Sequence, residues 1–306
     1  MKGMLGLLLL SSCAMAQSSL FLEAAAKRAK TTTDKFLEKV CDHEKDQIAK
    51  RVFWEYGSVF IAGEKVRIPR TCVFKDEESV RDFHEELKLS SARIGVAEIT
   101  LQTEAMRSLL DAIDEAWAQQ LRITPLDGTI AGTRDYQDTV RLWSSRFNRA
   151  LDYWASRGRI RESEADAARK LEPHEQIPLV IKWEQARLWF STGFNKSIFT
   201  SVAAPGTSQH LSGLAFDIVE HSNSRVRSLL NKHGWFQTIR SDEPHFTYLG
   251  LAEAELPGRG LEMVIHRGNF YWVPRSSPAN SRLIRRVADS PSREGRQPRR
   301  QSPSYP

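Results

Sequence analysis

Two short polar segments in the last third of the chain constrain its fold most strongly. Ser208–Asp217 reads SQHLSGLAFD, and Asp242–Phe246 reads DEPHF. Zinc enzymes commonly use three nitrogen or oxygen ligands from the protein and leave a fourth position for water. If His210, Asp217 and His245 form such a set, the fold must bring the two segments together.

Local patterns indicate how the two segments could meet. Strand signals occur over 214–219 and 245–249, and a helical pattern lies between them over 222–233. In the second strand, the alternation of side chains places His245 and Thr247 on one face. Only that face of the strand therefore needs to be polar.

The spacing of these residues is weak evidence when taken alone. A lone histidine is more often a satisfied structural residue than a ligand, and Ser208 and Asp217 also suit turns and helix caps. Arg134 alone would suggest a surface salt bridge with a neighbouring aspartate. The structural interpretation applies to six other histidines: His43, His84, His174, His221, His233 and His266.

The first segment nevertheless resembles a family signature. Ser208-x-His210-x-x-Gly213-x-Ala215-x-Asp217 resembles the S-x-H-x-x-G-x-A-x-D pattern of the VanY-type zinc D-alanyl-D-alanine carboxypeptidases. The sequence matches this pattern at every specified position.

Three further segments extend the resemblance to roughly residues 120–250. Asp242–Phe246 resembles the second family motif, in which an acid stands three residues before a ligand histidine. Asn231–Phe236 resembles the Gly-Trp or Gly-Phe segment that lies between the motifs. Gly132–Tyr136 resembles the G-Y-R-S-Y stretch of the family, with Thr133 in place of the usual aromatic residue.

The resemblance implies a zinc peptidase that acts on peptidoglycan stem peptides. It implies that His210, Asp217 and His245 hold the ion and that Ser208 helps to position the substrate. It also implies that Arg134 binds the peptide carbonyl and stabilises the negative charge that develops there.

The resemblance further implies a catalytic base three positions before the last ligand histidine. Asp242 holds that position, and Glu243 is the second choice. A carboxylate there would take a proton from zinc-activated water and deliver it to the leaving amine.

Three activities stay open at this point. Removal of a terminal D-Ala is favoured by the complete signature. An L,D-endopeptidase cut within the stem peptide is mildly favoured by the aspartate at the base position. The third is a zinc-containing cell-wall binding module without turnover, against which the intact Asp242 and Arg134 argue.

The expected fold class is α+β. For residues 101–274, the resemblance implies a small antiparallel sheet flanked by helices with a zinc cleft, a DD-peptidase/hedgehog-like fold. An N-terminal α/β extension of unknown role precedes it over 17–100. The stretch between Arg134 and His210 is longer than is usual in the family, which predicts inserted helices that reshape the cleft.

The remaining patterns predict the local structure of these regions. We expect helices over 17–50, short strands over 51–75, and amphipathic helices over 76–90, 102–121 and 135–157. Four residues of the second amphipathic helix form one predicted core face: Leu109, Leu110, Ile113 and Trp117.

Residues 1–16 have the order of an export signal. Lys2 supplies a positive charge, Met4–Leu10 an apolar block, and Ala14–Ala16 a small-x-small cleavage site. The same region also resembles a bacterial lipobox, which would lipidate Cys13 and anchor the protein to a membrane. Both interpretations predict an exported protein, either periplasmic or extracellular.

Export affects the interpretation of the two remaining cysteines. In an oxidising compartment, Cys41 and Cys72 are predicted to form a disulfide. The alternative is a pair of buried free thiols.

The positive charge of the chain is concentrated at its C-terminus. The whole chain has a net charge of +6, but residues 275–306 alone contain eight arginines against one aspartate and one glutamate. Residues 17–274 contain 35 basic and 36 acidic residues, which gives no support to a nucleic-acid enzyme. The terminal segment is rich in Ser and Pro and predicts a disordered basic tail, which we interpret as a tether to anionic wall polymer or lipid headgroups.

Overall fold

The computed structural model describes three ranges of the chain: 20–42, 46–240 and 242–275. Four predicted features lie outside the described residues: the export signal at 1–16, the alternative lipobox at Cys13, residues 276–306 of the basic tail, and His43. Within the described residues, no helix combines the length and apolar character needed to cross a bilayer.

The described chain is a mixture of helices and short antiparallel strands, which is an α+β architecture. The helices are α1 (20–28), α2 (Thr33–Lys39), α3 (Gln47–Tyr56), α4 (Glu77–Glu85), α5 (Thr103–Ala118), α6 (Tyr136–Ala155), α7 (Glu162–Arg169), α8 (Pro173–Gln185) and α9 (Ser224–Lys232). The strands are β1 (Leu89–Ile94), β2 (Ala97–Gln102), β3 (Ala215–Asp217), β4 (Trp235–Phe236), β5 (His245–Tyr248), β6 (Leu261–His266) and β7 (Asn269–Pro274).

A three-stranded sheet in the order β3-β5-β4 lies under the predicted site. Its strands are antiparallel, and the register sets Asp217 opposite His245 and Ala215 opposite Thr247. Directly opposed residues in such a pair have neighbouring side chains on the same face. The sheet therefore brings two members of the predicted ligand set together.

One hydrophobic core joins the N-terminal extension to this sheet. Phe21, Phe53 and Ile61 of the extension belong to the same buried cluster as Phe216 and Trp235. The main chain also connects the two parts, since residue 63 donates its N–H to the carbonyl of residue 249 at 2.7 Å. The described part of residues 17–100 is thus built into the body of the protein.

The predicted helical insertion between Arg134 and His210 is present as α6, α7 and α8. It has a hydrophobic cluster of its own, which includes Trp143, Phe147 and Val180. The indole N–H of Trp143 donates to the side chain of Gln176 at 2.9 Å, so even the polar atom of this large buried ring has a partner.

The prediction of strands over 51–75 is wrong. Helix α3 extends to Tyr56, and a 3-10 helix follows over Gly57–Ile61. All five residues of that 3-10 helix are buried. The sequence there does not alternate between apolar and polar residues, so its pattern cannot distinguish a buried strand from a buried helical turn. The described strands of the extension come later, as the β1-β2 hairpin.

The predicted core face of α5 is only partly correct. Leu109 is buried, whereas Leu110 is 37% exposed and Trp117 is 74% exposed. The buried apolar face combines three alanines, Ala105, Ala112 and Ala116, with Met106 and Leu109. A pattern judged by its large side chains misses an alanine face that lets neighbouring elements approach closely.

A disulfide joins Cys41 and Cys72, whose Cα atoms lie 5.0 Å apart. Both residues are buried. The bridge fixes the segment after α2 to the segment before α4, and the N–H of Cys72 donates to the carbonyl of Val40 at 2.7 Å beside it.

Removal of this disulfide should lower the stability of the protein. The bridge closes a loop with a sequence separation of 31, so the chain-entropy relation gives a loss of about 3–4 kcal/mol in the Cys41→Ala/Cys72→Ala variant. Urea unfolding of the oxidised proteins measures the difference. Reductant should destabilise the wild type and leave the variant unchanged; equal unfolding free energies of the two oxidised proteins would contradict the prediction.

Candidate metal centre

A short 3-10 helix presents the first histidine. Gln209–Ser212 form this helix, and the Ser208 hydroxyl caps it by accepting the N–H of His210 at 3.4 Å. Gly213 ends it with φ +66°, a conformation that glycine adopts without steric cost. The turn directs His210 into the protein, where it is only 2% exposed.

The sheet supplies the other two members of the set. Asp217 ends β3 and His245 begins β5 directly opposite. The carbonyl of Asp217 accepts the N–H of Leu126 at 2.9 Å, which fixes the end of the strand. His245 is 2% exposed, and the side chain of Asp217 is 15% exposed, so the group is open to solvent on the aspartate side.

Three atoms of these residues form a nearly equilateral triangle. His210 Nε2 lies 3.1 Å from His245 Nδ1 and 3.2 Å from Asp217 Oδ1. His245 Nδ1 lies 3.1 Å from the same Asp217 oxygen. Neighbouring ligand atoms in a tetrahedral zinc site with metal–ligand distances of about 2.0 Å are about 3.3 Å apart. The triangle therefore has the dimensions of one face of such a site.

Hydrogen bonds on the far sides of the rings determine which ring nitrogens carry protons. His210 Nδ1 lies 2.7 Å from the carbonyl oxygen of Gly132, and His245 Nε2 lies 2.8 Å from Gln209 Oε1. Because both partners are acceptors, both of these nitrogens must donate. The two nitrogens that face the triangle are then lone-pair donors to a metal.

The triangle consequently brings together three electron pairs. With Nε2 of His210, Nδ1 of His245 and Oδ1 of Asp217 all acting as acceptors, no hydrogen remains between them. Such an arrangement is repulsive unless a cation or an added proton lies at its centre. The residues present thus fit a metal ion, and among the described residues no other set of three such side chains converges in this way.

The charge states of these groups suit a divalent cation. Burial lowers the pKa of His210 to about 4, and the nearby Arg134 adds to this effect, so the imidazole is neutral at pH 7. Burial opposes ionisation of Asp217, but His210 and His245 lower the pKa of Asp217 well below its usual value. Neutral imidazole and ionised carboxylate are the forms that bind metals.

Position 132 requires a glycine, because the main chain there passes very close to β2. A Cβ atom at this position would lie 2.8 Å from the carbonyl oxygen of Thr100 and 2.9 Å from the Ile99 side chain. Only glycine lets the chain pass there, and this passage places the Gly132 carbonyl on His210 Nδ1.

Arg134 lies beside the triangle. It pairs with neither Asp135 nor Asp138. Instead, its Nη2 group lies 2.7 Å from Asp217 Oδ2, the oxygen that does not face the two imidazoles. Its Nε–H donates to the carbonyl of Ile130 at 2.8 Å. These two contacts leave the Nη1 group without a protein partner among the described residues.

Asp242 is within electrostatic reach of His245, Asp217 and Arg134. The residue as a whole is exposed, but the protein atoms around its carboxyl group reduce its hydration and so raise its pKa. Asp217 adds to the rise, and His245 and Arg134 oppose it.

Glu243 lies beside His221, with its carboxylate 3.9 Å from His221 Nδ1. Burial is the main cause of the raised pKa of Tyr271 on β7, and both Glu243 and Asp242 add to it. Of the two acids proposed as the base, Asp242 is the one whose pKa responds to His245, Asp217 and Arg134.

Two further histidines have partners outside the group. His84 Nε2 bonds to the carbonyl of Leu211 at 2.7 Å, and His233 Nε2 lies 2.8 Å from a carboxylate oxygen of Glu115. These contacts are those of structural histidines.

Two groups that hold the imidazoles were not identified from the sequence. One is the Gly132 carbonyl, since a sequence does not show where a main-chain oxygen points. The other is the Gln209 side chain, which stands between Ser208 and His210 at a position that the signature leaves unspecified.

Comparison with known proteins gives few matches. No family model and no curated protein matches the chain. Among solved structures, a mutant of the vancomycin-resistance D,D-pentapeptidase VanY from a VanB-type cassette, in complex with Zn(II), is 17% identical, with 60% of this chain and 85% of that chain covered and a TM-score of 0.31. VanYB in complex with D-Alanine-D-Alanine is 18% identical, with 57% and 86% covered and a TM-score of 0.32.

A third similar solved structure is that of the LdcB LD-carboxypeptidase, which reveals the basis of peptidoglycan recognition by that enzyme. It is 16% identical, with 56% of this chain and 70% of that chain covered and a TM-score of 0.31. At these identities and scores, the function proposed below rests on the residues of the site and their geometry.

The mature protein should bind one zinc ion per chain. Loss of one of three ligands from a site with an apparent binding free energy of order 10 kcal/mol should weaken binding by ~100-fold or more in His245→Ala. Competition with a chromophoric chelator measures the dissociation constant. His233→Ala is the control, because this histidine lies outside the triangle; equal affinities of the two variants would contradict the assignment.

Proposed function

We propose that this protein is a zinc-dependent peptidase that acts on peptidoglycan stem peptides, with D-Ala-D-Ala carboxypeptidase as its activity. The observation that carries this proposal is the convergence of His210, Asp217 and His245 beside an arginine and an acid, in the order of the peptidase signature. An exported location follows from a substrate of this kind.

The three ligand atoms make up one face of a tetrahedron, which leaves one position open. Asp217 is the most accessible of the three side chains that would hold the ion. When bound there, zinc supplies Lewis-acid chemistry that activates water and polarises a carbonyl at neutral pH. The protein must supply the acid–base chemistry and the orientation of the substrate.

Asp242 acts as the general base. It is accessible to water, and its raised pKa makes its carboxylate a stronger base than an ordinary aspartate. It takes the proton of the attacking water and then donates it to the amine that leaves. Glu243 lies toward His221 and is the less suitable candidate.

Arg134 has two roles in this scheme. One Nη group holds Asp217 Oδ2 and thereby turns Oδ1 toward the imidazoles. The Nη1 group, which has no protein partner among the described residues, binds the carbonyl oxygen of the scissile amide, where negative charge develops. Ser208 caps the 3-10 helix that carries His210, and its role in this scheme is to position the peptide beside the group.

The endopeptidase of the same family is the second candidate, favoured by an aspartate rather than a glutamate at position 242. A binding module without turnover requires that the base or the arginine be lost, and both residues are present. The helical insertion α6–α8 lies between Arg134 and His210 in the chain, and we infer that it shapes the cleft that distinguishes a chain end from an internal bond.

The product of the reaction distinguishes these activities. With zinc and a pentapeptide stem, the mature protein should release D-Ala, which mass spectrometry detects as a stem shortened by one residue. A cut within the stem would establish the endopeptidase instead. An unchanged peptide together with stoichiometric zinc would contradict peptidase activity and favour the binding module.

Substitution of the two acids identifies the base. Asp242→Asn should lower kcat by ~100-fold or more, because general acid–base catalysis contributes on that scale, while zinc stays bound. Glu243→Gln is the matched control and should keep most of the activity. The assignment is wrong if Glu243→Gln loses turnover and Asp242→Asn retains it.

A further inference from the structure

A buried amide lies directly behind the second ligand histidine. Gln209 is 4% exposed, and its Oε1 faces His245 Nε2 at 2.8 Å. The hydroxyl of Thr247, on the same face of β5 as His245, donates to the same oxygen. The Thr247 oxygen in turn lies 2.7 Å from that of Thr238, so a closed polar network surrounds the amide.

The other end of the amide faces the N-terminal extension. Gln209 Nε2 lies 2.6 Å from the main-chain carbonyl oxygen of Tyr56, at the end of α3. A carbonyl oxygen can only accept a hydrogen bond, so this contact requires the NH₂ group of Gln209. The Tyr56 carbonyl therefore determines which way round the amide lies.

The orientation of the amide determines the protonation of the ring. Because the NH₂ group points to Tyr56, the Oε1 atom must point to His245 and must accept a proton from Nε2. The neutral ring then has its lone pair on Nδ1, the atom that faces His210 and Asp217. An acceptor in the extension thus specifies, through one side chain, the nitrogen that is free to bind metal.

The anchor of this relay is itself firmly held. Tyr56 is 7% exposed, and its hydroxyl donates to the carbonyl of Phe199 at 2.9 Å. The next residue, Gly57, lies against the ring of Phe21, where a Cβ atom would approach to 3.3 Å. The end of α3 is therefore packed between α1 and the helical insertion.

We propose that Gln209 is a positioning residue that fixes the tautomer of His245, and that the N-terminal extension completes the metal centre through the carbonyl of Tyr56. This inference rests on the proposed metal site and assigns a role to part of residues 17–100. It does not depend on which peptide the protein cuts.

Gln209→Met tests the proposal, since methionine has a similar shape and its thioether sulfur is only a weak acceptor for Nε2–H. The buried ring can then move its proton to Nδ1, which removes the lone pair from the site. We expect the zinc dissociation constant to rise by ~10–100-fold, the range for partners that orient a ligand histidine. Imidazole ¹⁵N spectra of the zinc-free proteins at pH 8 should show the Nε2–H form of His245 in the wild type and a gain of the Nδ1–H form in the variant.

Gln176→Met is the matched control. Gln176 is 6% exposed, accepts an aromatic N–H from Trp143 and donates to the main-chain carbonyl of Leu171, but it lies in the helical insertion. It should lower the thermal unfolding midpoint and leave both the zinc dissociation constant and the His245 spectrum unchanged. A purely structural role of Gln209 would make the two variants behave alike.

Gln209→Glu keeps the proposal testable if the methionine variant does not fold. A carboxylate still accepts Nε2–H, so the His245 tautomer should be retained, although an oxygen now faces the Tyr56 carbonyl and lowers stability. An Nδ1–H tautomer in the wild type, or an unchanged zinc dissociation constant in Gln209→Met, would overturn the proposal. Wild-type protein that binds zinc with the expected tautomer but cleaves no stem peptide would refute the proposed function alone.

Discussion

The rest of this structure depends on one constraint: three lone pairs, two from imidazole nitrogens and one from a carboxylate oxygen, point at one another with no hydrogen between them. His210 Nε2, His245 Nδ1 and Asp217 Oδ1 lie 3.1–3.2 Å apart, and each is held there by a contact on its far side. Such a group is unfavourable as an empty cluster of acceptors, because unpaired buried acceptors cost free energy. It becomes favourable when a cation is shared among all three.

The main chain provides most of what holds this group. The register of β3 against β5 places Asp217 opposite His245, and the turn at Gly213 brings His210 above them. Two main-chain carbonyls then determine which nitrogen of each ring carries the proton. The Gly132 carbonyl accepts directly from His210, and the Tyr56 carbonyl acts on His245 through Gln209. The Tyr56 carbonyl belongs to the N-terminal extension, which shares one hydrophobic core with the sheet that carries Asp217 and His245.

The sequence predicted the convergence of His210, Asp217 and His245 better than it predicted the surrounding fold. The signature around His210 and Asp217 specifies residue types that the chemistry needs, and strand alternation correctly placed His245 and Thr247 on one face. The pattern over 51–75 failed because a run buried on every side has no period, and the core face of α5 was misjudged because alanines carry little apolar weight. Gln209 stayed invisible because its role depends on a main-chain oxygen more than 150 residues away.

X-ray absorption spectroscopy of the zinc-loaded mature protein tests the central claim most directly. The three converging lone pairs predict a first shell of low-Z ligands at about 2.0–2.1 Å, with the outer-shell scattering of two imidazoles. Substitution of His210 or His245 should remove the scattering of one ring. A first shell that contains sulfur, or one that lacks imidazole scattering in the wild type, would contradict the account.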